Sequence, residues 1–134
     1  MKSIFRNLLF LGVIGVSIFA LFFVVSSVWI GFDVKKQCRD AKNEYGQEKC
    51  VDALITLLND EDRGFSARNS AIWALGQLGD DKALPVLQHY YTGIIPDKEP
   101  LNGVISQYEL KKAVNLTSGG KNITSIFWRY RIDD

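Results

Sequence analysis

Charge of either sign is absent from the sequence between Leu8 and Phe32, and proline, cysteine and histidine are scarce throughout. The 134 residues include three prolines, two cysteines and one histidine, and 16 basic side chains nearly balance 15 acidic ones. Two cysteines are too few for a disulfide-dense secreted scaffold. Balanced charge excludes a strongly basic nucleic-acid binder, so no nucleic-acid partner is expected. With 47% apolar residues, the chain is expected to fold as one domain of ordinary length.

The uncharged run predicts a membrane anchor. Its 25 residues exceed the roughly 20 that a helix needs to cross the hydrocarbon core, and Trp29 lies near its end, where indoles favour the interface. The alternative is a cleaved signal peptide, with Val25 and Ser27 as the small residues before the cut; the apolar region of such peptides is usually about 7–15 residues. We predict a tail and retained signal anchor over residues 1–32, in contact with the lipid bilayer through residues 8–32, and a separate domain over residues 33–134.

Two rules for the orientation of the anchor disagree. Lys2 and Arg6 precede the run, and four basic residues follow it closely: Lys35, Lys36, Arg39 and Lys42. The count of basic residues favours a cytoplasmic domain. A short basic N-terminal tail is typical of export signals and favours the opposite orientation. We predict a single-pass membrane protein with its helical domain outside the cytoplasm, in the periplasm; the cytoplasm is the alternative.

Beyond residue 32, apolar residues recur with a helical period. Five stripes of this kind cover residues 34–45, 51–58, 67–78, 83–94 and 106–118. Residues 122–131 suit either a helix or a strand. The sequence therefore predicts an all-α fold of about five or six helices, in which the first soluble helix and the C-terminal segment cover the two ends.

Turn and cap residues separate these stripes. Gly46 is expected to end the first helix, and Gly79 to follow the third in a left-handed conformation. Ser66 is the candidate N-cap of the third helix, and Asp80 or Asp81 that of the fourth.

A recognisable pattern joins the third and fourth stripes. After an apolar helix and an acidic loop, residues 71–80 read AIWALGQLGD and residues 83–87 read ALPVL. This pattern resembles a HEAT repeat of the short bacterial type named after phycobilisome lyases. A weak second copy begins 41 positions later, with Leu116 at the place of Leu75 and Gly120 at the place of Gly79; the period of this repeat class is about 40–47 residues. The resemblance implies a fragment of an α-solenoid with about two repeats behind the transmembrane helix.

No catalytic signature accompanies the repeat. The sequence has neither a nucleophile elbow, nor a zinc-protease motif, nor a phosphate-binding glycine loop. His89, the one histidine, has no partner nearby in sequence that would make it a base. We predict no catalytic, cofactor-binding or metal-ligating residue, no cofactor, and no enzymatic activity. Arg68 is expected to pair with Asp60 or Asp62 across the turn within the repeat.

Cys38 and Cys50 have two interpretations, a disulfide between the first two soluble helices or a pair of buried thiols. At 1.5 Å per residue, Cys38 lies about 12 Å and Cys50 about 6 Å from Gly46 along the helices. A disulfide was therefore expected only if the first helix ended before Gly46.

The resemblance implies scaffold or adaptor work, because helical repeats bind peptides and helices in their grooves. We predict a membrane-tethered protein–protein interaction module with an unknown protein partner. The alternative is an enzyme subunit or a lyase-like protein, by analogy with the bilin lyases that carry the repeat. Aromatic and arginine residues are enriched in binding hot spots, which makes four residues candidates for partner binding: Trp73, Trp128, Arg129 and Tyr130. The other interpretation of the last three is that the C-terminal aromatic segment closes the helical stack.

Overall fold

The structure, a computed structural model, describes the backbone of residues 2–133 and the side chains of residues 4–133. It has five α-helices: α1 (Lys2–Tyr45), α2 (Cys50–Asn59), α3 (Phe65–Leu78), α4 (Leu84–Tyr90) and α5 (Gln107–Thr117). Three short 3-10 turns cover Asp81–Ala83, Thr124–Phe127 and Arg129–Arg131. No strand occurs between residues 2 and 133, and the prediction of an all-α fold is confirmed.

Helix α1 continues without a break across the boundary that was expected between residues 32 and 33. Its 44 residues extend for about 66 Å. Within the part of the chain described, it is the one helix long and apolar enough to cross a membrane, and none of the residues in its most apolar window is buried. The helix ends at Tyr45, because Gly46 adopts a φ of 63° that a side chain would resist.

Helices α2 and α3 form the central antiparallel pair, and α1 and α5 flank it. The turn before α3 differs from the sequence prediction. Gly64, not Ser66, is the N-cap, and its carbonyl accepts the amide of Ala67 at 3.0 Å. Ser66 lies one residue inside the helix. The other end matches expectation: Gly79 is left-handed with φ 61°, and its amide bonds to the carbonyl of Leu75 at 3.0 Å.

Helix α4 is shorter than its stripe predicted. The Asp80 carboxylate accepts the amide of Lys82 at 2.9 Å and starts a 3-10 turn, from which α4 continues with Pro85 in its first turn. The helix ends at Tyr90, so Ile94 lies outside it and is exposed. The helical spacing of apolar residues continues in the sequence to Ile94. The residue before it, Gly93, has a φ of 83°, which is not a helical conformation.

Helices α3 and α5 approach closely because small residues meet at their contact. A Cβ placed on Gly76 would lie 2.8 Å from the Cα of Ala113. The core around this contact is continuous from α1 to α5, and its largest buried apolar side chains include Val34, Leu54, Leu58, Ile72, Leu75, Leu87 and Leu110.

The C-terminal segment, residues 122–133, forms two 3-10 turns and not a regular helix or strand. It packs on α1, where Trp128 lies against Gly31 and Phe127 contacts Phe23 edge to face. Its end is fixed by Asp133, whose carboxylate accepts the first amide of α2, that of Cys50, at 2.9 Å.

Candidate functional site

Two adjoining cavities, of about 260 and 230 Å³, lie where α3 faces α1. They share Asp33 and Trp73, and we call them together the Trp73 groove. The residues that line the groove are Ser26, Trp29, Ile30, Asp33, Gln37, Ser66, Asn69, Ser70, Trp73, Leu101 and Glu109.

Trp73 lies at the edge of the buried face of α3. Its neighbours Ile72 and Ala74 are fully buried in the core, and Trp73 itself is half-buried at the α1 side. Trp29 of α1, with 71% of its surface exposed, lies beside it. Two indole rings therefore present apolar surface at one end of the groove.

Asn69 holds the far wall of the groove. Its side-chain amide donates to the carbonyls of Leu101 and Val104, both at 2.9 Å, and its oxygen accepts the amide of Ser106 at 2.8 Å. These bonds attach the long connection between α4 and α5 to α3. The sequence analysis missed Asn69. The available signal was an amide residue next to Arg68 at the start of a helix whose buried face is otherwise apolar.

The same connection also caps α5. Glu99 accepts hydrogen bonds from the Ser106 hydroxyl and from the amides of Gln107 and Tyr108 at 2.6–3.3 Å. Burial favours the neutral acid, but the three donors outweigh it, so the pKa of Glu99 is lowered from its usual 4.5. Ser106 is also the N-cap of α5 and accepts the amide of Glu109 at 3.1 Å.

The groove carries negative and no positive charge. Asp33 and Glu109 line it, and its other lining residues are neutral. Glu109 also pairs with Lys112 at 3.1 Å, one turn away on the exposed face of α5. An apolar side chain with a neighbouring cation would therefore meet complementary surface there.

The four residues predicted to bind a partner do not form one site. Trp73 lies in the groove, whereas the other three belong to the C-terminal segment. Trp128 is only 8% exposed and packs on Gly31, and the Arg129 guanidinium donates to the Gln77 carbonyl at 2.9 Å. Burial lowers the pKa of Arg129. Tyr130 is 88% exposed.

Cys38 and Cys50 are joined by a disulfide, with their Cα atoms 4.9 Å apart. The condition that we set for it is met without a residue to spare, because α1 ends at Tyr45, directly before Gly46. The connection of residues 46–49 begins with a turn at Gly46, bends at residues 48 and 49, and returns alongside α1 to Cys50. Four extended residues reach about 13 Å, enough to offset the roughly 10 Å between Cys38 and the end of α1.

Arg68 does not pair with Asp60 or Asp62. Its Nε donates to the carbonyl of Leu58 at 2.8 Å, at the end of α2, and its guanidinium lies 5.7 Å from the centroid of the Tyr90 ring. A cation there is favoured by the partial negative charge of the helix terminus.

Asp60 has another partner. It accepts the Tyr45 hydroxyl at 2.6 Å. Burial, that hydrogen bond and the negative charge of Asp60 raise the pKa of Tyr45 to about 12. The basic residue beside Asp60 is Arg63, which also pairs with Glu44 of α1. These contacts fix the turn between α2 and α3 against the end of α1.

His89 is exposed on α4 and lies edge to face against Tyr90. Over residues 2–133, no group of three or more histidine, cysteine or acidic side chains is arranged to hold a metal ion.

Part of the chain is similar in sequence to a known enzyme. Deoxyhypusine hydroxylase of Schizosaccharomyces pombe is 31% identical over 84 residues, which are 61% of this chain and 26% of that protein. The chain thus spans about a quarter of its relative. This similarity overturns the expectation that the chain is not an enzyme. That expectation was based only on motifs that are contiguous in sequence. It was insufficient because catalytic residues can also come from segments that lie far apart in the sequence.

The repeat itself has a family match. Residues 33–93 match the family model of HEAT repeats, and no solved structure is significantly similar to the chain. The matched range begins in the last part of α1 and ends just after α4, so it takes in the whole α2–α3 pair. This match covers just under half of the chain and, together with the all-helical fold, supports a HEAT repeat over residues 33–93.

Proposed function

We propose that the chain is a membrane-anchored helical-repeat module that binds a polypeptide segment in the Trp73 groove, next to the bilayer. One observation carries the proposal: the groove joins the repeat helix α3 to Trp29 and Ile30, which belong to the last turns of the uncharged run of α1. A segment bound there would be held at the membrane surface.

The anchor is the apolar part of α1. Its large side chains from Leu8 to Phe22 are exposed, as they must be to face lipid. The disulfide between Cys38 and Cys50 supports a domain outside the cytoplasm, because disulfides persist in oxidising compartments. Bacterial origin and a periplasmic location stay part of this proposal.

The groove indicates the chemistry of the partner. Tryptophan is over-represented among residues that dominate binding energy, and Trp73 is held in place by a helix whose opposite face is in the core. Asp33 and Glu109 add negative charge. The partner segment should carry an apolar side chain for Trp73 and a lysine or arginine nearby.

Photo-crosslinking in native membranes tests this proposal. A benzophenone amino acid replaces Ser70, an exposed residue of the groove, in the full chain. We expect adducts whose crosslinked peptides contain an apolar residue next to a basic one, and we expect Trp73→Ala to reduce their yield at least fivefold. The matched control carries the probe at Lys111, on the exposed face of α5 outside the groove.

Equal adducts from positions 70 and 111 would contradict the proposal, as would a yield at position 70 that Trp73→Ala leaves unchanged. Thermal unfolding of the Trp73→Ala chain separates lost binding from lost folding.

Enzymatic activity is a second candidate, favoured by the similarity to a deoxyhypusine hydroxylase. The direct test incubates the purified full chain with a deoxyhypusine-containing protein, molecular oxygen and a reductant. A mass gain of one oxygen atom in the substrate protein would support the activity. An unchanged mass, under conditions in which the fungal enzyme acts, would remove this candidate.

A further inference from the structure

The C-terminal segment lies beside the part of α1 that is uncharged. Phe127 contacts Phe23, with ring centroids 6.1 Å apart, and Trp128 covers Gly31. Both partners on α1 belong to the run that ends at Phe32. Since Phe23 precedes Phe32 by nine residues, the contact lies about 13 Å back along the helix from the end of the run.

The length of the run fixes how deep this contact would lie in a bilayer. Its 25 residues extend for about 37 Å, and a hydrocarbon core is about 30 Å thick. If the core begins at Leu8, its other edge falls near residue 27, about 6 Å beyond Phe23. If the core ends at Phe32, Phe23 lies about 13 Å inside it. In either position the Phe127 ring falls within the hydrocarbon region.

The segment exposes apolar side chains next to this contact. Ile123, Ile126 and Phe127 have 59%, 66% and 52% of their surface exposed. Their neighbours Ser125 and Trp128 are buried against the rest of the chain. The segment therefore has one side buried against the chain and one exposed apolar side. No other described part of the chain covers the exposed side.

Polar contacts hold the segment against the domain. Lys35 of α1 donates to the carbonyl of Arg131 at 3.1 Å, and the Asn122 amide donates to the Gln77 side chain at 2.9 Å. Asp133 bonds to the first amide of α2. The exposed apolar side chains are therefore carried on a fixed support beside α1.

We propose that residues 122–132 form a second membrane contact, in which Ile123, Ile126 and Phe127 enter the lipid leaflet on the domain's side, next to α1. The occupant of this apolar surface is lipid, because the surface continues that of the membrane-spanning helix itself. The basic side chains of Lys121 and Arg131, which are exposed, lie at the two ends of the segment and suit the phosphate groups at the interface. The proposal rests on the anchor in the proposed function.

Spin labels in lipid nanodiscs test this contact. The full chain, with its disulfide intact, is placed in discs of phosphatidylcholine and phosphatidylglycerol. It carries a nitroxide at one introduced cysteine: Ile126→Cys for the segment, Val16→Cys for the span, or Lys111→Cys for the aqueous surface. Oxygen concentrates in lipid and a nickel chelate stays in water. We expect the oxygen-to-nickel accessibility ratio at position 126 to approach that at position 16 and to exceed that at position 111 at least fivefold.

Each other outcome overturns a distinct statement. A ratio at position 126 equal to that at position 111, with position 16 protected from nickel, would refute the second contact and leave the anchor in place. Nickel access at position 16 would refute the anchor and this proposal with it. Protection of position 126 from both reagents, with spin–spin broadening between labels, would show that a second copy of the chain covers the surface and would overturn the lipid contact.

Discussion

Gly76 and Ala113 set the distance between α3 and α5. The two residues meet where a side-chain carbon on residue 76 would overlap the backbone of α5. Glycine within a helix costs about 1 kcal/mol relative to alanine. The close packing of the two helices offsets that cost. Glycine at position 76 is therefore explained by the contact with Ala113 and not by the helix propensity of α3.

Gly76→Ala is expected to destabilise the domain. The added Cβ would lie 2.8 Å from the Cα of Ala113, and overpacking of this kind costs roughly 1–3 kcal/mol, more than the gain in helix propensity. Thermal unfolding of the full chain in detergent should show a lower Tm. Gly12→Ala, in the open part of α1, is the matched control and should not lower the Tm, because an added Cβ there meets no other atom. A Gly76→Ala chain as stable as the parent would contradict the close contact.

Glu99 makes the stability of the domain depend on pH. Its pKa is lowered in the folded chain, so the ionised form contributes stability above the usual value of 4.5. That contribution is lost as the pH falls through the lower, folded value. Glu99→Gln should cost about 1 kcal/mol at neutral pH, and the difference should shrink at about pH 3. The check is unfolding at both pH values, with Glu61→Gln in the exposed turn as control. An equal loss at both pH values would refute the assignment.

At the scale of elements, α1 joins an exposed apolar part to a part that packs in the domain. The sequence predicted an apolar run and a helical stripe beginning at Val34, and it predicted them as separate units. In the structure the buried face continues backwards through Gly31 and Ser27 to the half-buried Phe23. This buried face cannot be predicted from the hydropathy of the run, because residues that face lipid and residues that face protein are both apolar or small.

The first and last residues of helices were predictable from the sequence where a glycine or an aspartate determines them, as at Gly46, Gly79 and Asp80. They were not predictable where a long-range bond decides. The side chain of Asn69 binds residues 32 and 35 positions later and so builds the wall of the groove. No pattern local to Asn69 contains those partners. Trp73 could be selected as a candidate because aromatic residues are enriched in binding hot spots, but its neighbour Trp29 belongs to the predicted anchor.

The disulfide ties α1 to the start of α2 across a separation of 12 residues in sequence. Closing a loop of this length in the unfolded chain contributes up to about 3 kcal/mol. The double variant Cys38→Ser, Cys50→Ser should therefore have a lower Tm than the parent chain. Dithiothreitol should lower the Tm of the parent chain by a similar amount. In the parent, neither thiol should react with maleimide after denaturation without reductant. Labelling of both under those conditions would exclude the disulfide.

For the whole molecule, the proposed anchor and the first part of the domain belong to one unbroken helix, α1. Because α1 has no break between the apolar run and the part that packs on α2, the proposed anchoring would hold the groove and the C-terminal segment at a constant height relative to the bilayer. A flexible linker would allow the domain to search for partners at some distance. The proposed anchoring through an unbroken helix would instead confine binding to partners at the same membrane.

The anchor and its orientation can be measured together. The full chain should stay in the membrane pellet through carbonate washing, as the proposed retained anchor requires. With the native disulfide intact, a cysteine introduced at Ser118, exposed after α5, should react with an impermeant maleimide in intact cells, whereas one at Asn7 should react only after permeabilisation. The opposite pattern would place the domain in the cytoplasm, and the basic cluster after the run would then be the dominant topology signal. A soluble chain that begins near Val28 would replace the anchor with a cleaved signal peptide.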